Sequence, residues 1–121
     1  ALYARINRRV AEMLERGWAR EVESLLQGSA SPAAKPFEFI GYRELRACLE
    51  QGLPTAGARD AIAQATRRYA KRQLTWFRKE PGVHWLPGFG DDETIFAAAI
   101  TEIESARQPH AADAAPPTQQ P

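Results

Sequence analysis

Between Thr66 and Lys79 the chain reads TRRYAKRQLTWFRK. Six of its sixteen lysines and arginines fall in this stretch, with no acid among them, and Tyr69, Trp76 and Phe77 are interleaved. Cations hold a phosphate backbone by displacing its counterions, and aromatic rings stack on unpaired bases. Arginine outnumbers lysine here, which suits planar, bidentate contact with phosphate oxygens.

On a helical wheel with Arg67 at zero, Arg78, Lys71, Arg68, Lys79 and Arg72 follow within an arc of about 140°, with Thr75 in its middle. Ala65, Trp76, Tyr69 and Ile62 lie at about 160–220°, and Phe77 and Ala70 at about 280–300°, which predicts the core side. Like charges one turn apart cost a few tenths of a kcal/mol each. A phosphate backbone relieves that repulsion. A membrane surface is the competing use of a basic amphipathic helix, but here the apolar arc is needed for packing. Gln73 falls near 240°, inside that arc. Either a loop carbonyl satisfies its buried amide, or this face meets a base, a ligand or a further domain.

The remaining composition narrows the classes. The 121 residues suffice for one small domain. No apolar run is long enough to span a bilayer, and no signal-peptide pattern is present, so a cytoplasmic location is expected. Cys48 is the only cysteine, which excludes an internal disulfide. His84 and His110 are far from it and from each other in sequence, so no transition-metal site is predicted. The net charge of +1 hides a segregation. Residues 1–79 carry 15 basic and 8 acidic side chains, whereas residues 80–121 carry 1 and 7. That points to a polyanionic partner for the first part, or to a solvated basic face balanced by an acidic neighbour. The first residue is Ala1 and the only methionine is Met13, with a helical pattern already running at Leu2, so a piece of a longer chain is expected.

The elements that must carry these residues read as helices nearly throughout. Leu2, Ile6, Val10, Met13 and Leu14 form a first stripe that Gly17 stops, and Trp18, Val22, Leu25 and Leu26 a second that ends at Gly28. Ser29 to Pro36 is a loop. A third helix is predicted from about Gly41 to Gly52, with Leu45, Cys48 and Leu49 inward. A fourth runs from an N-cap at Thr55 to about Lys79, where Glu80-Pro81-Gly82 breaks it. Val83 to Leu86 reads as a short extended piece. Asp91 or Asp92 caps a last helix with Ile95, Phe96, Ala99, Ile100 and Ile103 on one face. The fold class is therefore all-α, about five helices in a small bundle over residues 1–107, and residues 108–121 are predicted to be a disordered tail.

RRYAKRQLTWFRK (Arg67 to Lys79) resembles the C-terminal signature of the tRNA dimethylallyltransferases, also called tRNA isopentenyltransferases. IGYRE (Ile40 to Glu44) is similar to that family's second C-terminal signature. Leu2 to Leu26 looks like the helix pair that precedes it, and GVHWL (Gly82 to Leu86) matches the closing segment. The resemblance implies transfer of a dimethylallyl group from dimethylallyl diphosphate to N6 of the adenosine just 3′ of a tRNA anticodon. The base is taken out of the stack into a channel, with Mg2+ and a P-loop on the diphosphate and an aspartate acting on the amine. It implies that this chain is the C-terminal helical part of a P-loop α/β enzyme, a monomer when complete. The family's tRNA-contact segments fall on Glu38, Phe39, Ile40, Gly41, Tyr42 and Arg43, and on Lys71, Arg72, Gln73, Leu74, Thr75, Trp76, Phe77 and Arg78. By that resemblance Arg43, Lys71, Arg72 and Arg78 hold phosphates of the anticodon stem-loop, and Gln73 reaches a base or orders the channel wall. Gly41 permits a close backbone approach or is an ordinary helix-start glycine. Tyr42 and Trp76 stack on nucleotides or belong to the core. Glu38 departs from the pattern, since a carboxylate repels phosphate; it points away or pairs with Lys35.

No G-x-x-x-x-G-K-[ST] occurs in the chain. The phosphate cradle and catalytic aspartate implied by the resemblance belong to an N-terminal half, which would also bind Mg2+ and dimethylallyl diphosphate. These residues alone are expected not to transfer a prenyl group. Asp60 reads as a first-turn helix acid. Arg5, Arg8, Arg9 and Arg16 read as a solvated face partnered by Glu12 and Glu15, or one of them faces a diphosphate site. The alternatives are a non-catalytic helical RNA-binding module and a protein-interaction domain whose basic helix meets an acidic partner.

Overall fold

The structure, a computed structural model, describes residues 1–108. The tail expectation therefore lies outside the described residues except for Gln108, a bend after the last helix. Every regular element among the described residues is helical: α1 (Leu2–Glu15), α2 (Trp18–Gln27), α3 (Tyr42–Glu50), α4 (Ala58–Lys79) and α5 (Glu93–Arg107), with short 3-10 turns at Lys35–Glu38 and Thr55–Gly57. The all-α expectation of five helices holds. The chain divides into two compact units, Ala1–Glu80 with α1 to α4 and a second from Pro81 with α5.

In the first unit the predicted stripes meet. Val10 of α1, Trp18 and Val22 of α2, Leu45 of α3, and Ala58, Ile62 and Ala63 of α4 form the core, with Ile6, Met13, Leu26 and Leu49 packed against it. Val22, Leu45 and Ile62 are completely buried, each worth about 1.5–3 kcal/mol. Gly17, at φ +98, makes the sharp reversal between α1 and α2 without the penalty a Cβ would bring. Phe37, not expected in the core, is buried too. The Arg46 guanidinium lies 5.1 Å over its ring, donates from Nη1 to the Pro32 carbonyl at 2.6 Å and pairs from Nε with Glu50 at 2.8 Å. One arginine of α3 thus fastens the loop that leads into it.

Two expectations about α4 are corrected. Thr55 is not its N-cap: Thr55–Gly57 form a 3-10 turn, closed by the Gly57 N–H on the Pro54 carbonyl at 3.1 Å, and the helix begins at Ala58. A residue inside such a turn lacks the extended geometry that aims a capping hydroxyl. The aromatic arc is not core either. Tyr69, Trp76 and Phe77 are 47%, 57% and 42% exposed, and Gln73 is exposed as well, so no buried amide arises. The reason is length: α4 has 22 residues, about 33 Å, whereas α1 has 14, about 21 Å. The buried residues of α4 all lie in its first two turns, and the distal half runs past the bundle.

In the second unit Asp92 caps α5, accepting from the Thr94 N–H at 2.8 Å. The Thr94 hydroxyl, and after it that backbone contact, hold its carboxyl below the usual carboxylate range. His84 Nδ1 lies 3.1 Å from Glu102 Oε2. Residues 83–86 form no strand. Phe96, Ile100 and Ile103 lie on one side of α5 and are exposed.

Candidate nucleic-acid interface

Arg68, Lys71, Arg72, Thr75, Trp76 and Lys79 line a groove of about 500 Å³ along α4. Among the described residues, Arg68, Lys71, Arg72, Arg78 and Lys79 face no carboxylate within ion-pair distance. Among the described residues these five cations are thus without an ion-pair partner, on the one face where the wheel put them. The Thr75 hydroxyl donates to the Lys71 carbonyl at 2.9 Å, leaving its lone pairs outward. Trp76 stands on the groove wall with its ring edge-on to Phe77, centroids 4.8 Å apart. One face of an exposed indole beside four cations can take a stacked base with its phosphates in reach.

Arg67 does something else. It donates from Nη1 to Asn7 Oδ1 at 2.6 Å and lies 6.0 Å over the Tyr3 ring. It ties α4 to α1 and is the one arginine of the stripe used for packing.

A second concavity, about 680 Å³, joins three stretches that are distant in sequence. Glu38, Phe39 and Ile40 border it from the loop, Tyr69 and Arg72 from α4, and Arg9 from α1, over an apolar floor that includes Val10 and Met13. Here the two sequence-predicted contact segments converge. Arg72 lies 5.9 Å over the Tyr69 ring, bridging the groove and the cavity. Glu38 is exposed on this rim rather than ion-paired with Lys35. Tyr69 was expected in the core and Arg9 on a solvated face or facing a diphosphate site; both border this cavity. Arg9 carries a readable signal, because Ile6 and Met13 flank it at i−3 and i+4 and a cation inside an apolar stripe invites a question. Arg8 behaves as a solvated face should, pairing with Glu12 at 3.7 Å.

The turn into α3 is rigid. Gly41 sits at φ +95, and a Cβ there would fall 2.0 Å from Trp18 Cη2. It is thus a close-approach glycine rather than an ordinary helix start. Tyr42 packs edge-on against Trp18, centroids 5.7 Å apart, and donates its hydroxyl to Glu21 Oε1 at 2.9 Å. That hydrogen bond, then burial, then the Glu21 charge push the phenol above its ordinary range. Tyr42 is therefore a clasp between α2 and α3, not a free stacking ring. Arg43 is exposed beside it.

Not every predicted residue comes to one place. Lys71, Arg72, Thr75, Trp76 and Arg78 share the groove side of the helix, whereas Gln73 and Phe77 point about 100° or more away from it. A ligand approaching from the groove side meets the first group and not the second.

Residues 1–80 match the family model described as IPP transferase. The tRNA dimethylallyltransferase of Koribacter versatilis is 46% identical over 105 residues, 87% of this chain and 34% of that protein. The Geobacter sulfurreducens tRNA dimethylallyltransferase is 47% identical over 99 residues, 82% of this chain and 32% of that one. Among solved structures, the full-length tRNA isopentenylpyrophosphate transferase of Bacillus halodurans superposes with a TM-score of 0.74 at 34% identity, covering 87% of this chain and 34% of that one. The chain spans about a third of the length of the curated relatives it matches. With a family model matched over residues 1–80, more than half of its length, this chain belongs to the IPP transferase family.

Proposed function

We propose that this chain is the RNA-gripping helical part of a tRNA-modifying prenyltransferase. In the intact enzyme a dimethylallyl group passes from dimethylallyl diphosphate to N6 of the adenosine 3′ to the anticodon. The observation that carries the reading is the uncompensated cationic groove of α4, which shares Arg72 with a cavity bordered by the turn before α3. Phosphates of the anticodon stem-loop lie along Lys71, Arg72 and Arg78, an unpaired base stacks on Trp76, and Arg43 holds a further phosphate at the start of α3.

The chemistry is assigned to a P-loop part outside this chain. No group of three or more His, Cys, Asp or Glu able to hold a metal ion converges among the described residues. Their contribution is to bind and orient the RNA. No helix among the described residues is long and apolar enough to cross a membrane.

The test is a titration of an anticodon hairpin into the intact protein and its Lys71→Ala/Arg72→Ala/Arg78→Ala variant. Loss of three phosphate contacts lowers affinity about tenfold or more and flattens the dependence of log K on log salt by about two to three. Unchanged affinity at low ionic strength would sink the proposal.

A further inference from the structure

The carboxylate of Glu44 is divided between two tasks. Its Oε2 accepts from the Gly41 N–H at 2.6 Å, satisfying a backbone donor that the start of α3 would otherwise leave open. Its Oε1 accepts from Arg43 Nε at 3.3 Å and from Arg43 Nη2 at 2.9 Å. The Glu44 side chain is only 13% exposed, whereas Arg43 is 60% exposed. The anchored partner is thus the acid and the presented partner is the arginine. An ordinary surface ion pair, with both ends in water, would be worth little. This one has one end fixed to the backbone of a strained turn, which Trp18 in turn holds in place.

A guanidinium has five N–H donors. With Nε–H and one Nη2–H directed at Glu44, the other three point away from it. The same carboxylate therefore sets the chain direction at Gly41 and the angle of the Arg43 fork. We propose that Glu44 is a positioning residue: it holds Arg43 pre-aimed so that the outer edge of its guanidinium meets an RNA phosphate without first losing the freedom of a long side chain. The inference rests on the RNA-binding reading given above and extends it to a residue that would touch no RNA itself.

The charge of Glu44 makes the claim sharp. A carboxylate beside a phosphate site repels RNA, so simple electrostatics has Glu44→Gln bind more tightly. Positioning has the opposite sign. In Glu44→Gln the amide oxygen still accepts from Gly41, but the amide NH2 cannot accept from Arg43. The intact protein and its variants are titrated with an anticodon hairpin over a range of salt. Glu44→Gln weakens binding about three- to tenfold and lowers the salt slope by about one, as Arg43→Ala does. In an Arg43→Ala background Glu44→Gln weakens it no further. Arg43→Lys, which keeps the charge and loses the two-donor edge, is as weak as Glu44→Gln. It also serves if Glu44→Gln unfolds, which a denaturant midpoint reveals. Affinity unchanged or tightened in Glu44→Gln, or unchanged in Arg43→Lys, overturns the proposal. The Lys71→Ala/Arg72→Ala/Arg78→Ala variant separates the two failures. If it loses the hairpin while Glu44→Gln and Arg43→Lys keep it, the RNA reading stands and the positioning role falls. If it also keeps the hairpin, the RNA reading falls.

Discussion

Gly41 ties the loop side of the interface to the core through one missing atom. Its φ of +95 and the 2.0 Å approach a Cβ would make to Trp18 act together. Gly41→Ala is expected to cost about 2–4 kcal/mol, strain and overpacking combined, measured as a lowered urea midpoint. Tyr42 offers a second handle. Its phenol is raised above the ordinary value by its bond to Glu21. A group whose folded pKa exceeds its unfolded one contributes stability that is complete below the unfolded value, about 10, and is lost as pH rises through the folded one. Phenolate absorbance should therefore show one tyrosine ionising above the ordinary phenol range. Tyr42→Phe should remove that late step, at a cost of about 1 kcal/mol at neutral pH. From sequence, Gly41 was legible only as two alternatives, because nothing in IGYRE reveals that an indole from another helix occupies the space above it. Phe37 was not legible at all. It stands between Pro36 and Glu38 in a stretch read as loop, and the guanidinium over its ring comes from Arg46 on the following helix.

At the scale of elements, α4 is two things end to end. Its first two turns are core, and its remainder is surface with aromatic rings on it. Ile62→Ala is expected to lower stability by about 2–4 kcal/mol in denaturant unfolding. Trp76→Ala should change it by less than about 0.5 kcal/mol, while weakening hairpin binding by about 1–3 kcal/mol through the lost stack. Equal destabilisation by the two substitutions would refute the division. The helical wheel drew the cationic face of α4 correctly, because a 3.6-residue period fixes which side chains share a side. It erred in naming the opposite side core, because a wheel collapses the axis and cannot tell which turns have a neighbour. The start of the helix was misplaced for a related reason. Thr55 has the right side chain for a cap, but the Pro54 carbonyl closes a tighter turn first.

At the scale of the molecule, the segregation of charge was plain in the sequence, and the uncompensated groove is its local form. The cavity was not plain, since its walls come from α1, the loop before α3 and α4, and no single stretch betrays it. The division into two compact units falls at the Glu80-Pro81-Gly82 break, which the sequence marked as the end of a helix but not as the limit of a packed unit. Beyond Arg67, the last residue that ties it to α1, α4 runs about 17 Å further to Arg78. A rotation of only about 5° at Arg67 would swing the tip by about 1.5 Å, about half the length of a hydrogen bond. A methyl group lost deep among the packed side chains would thus surface first as poor aim at the far end, well before the protein melted.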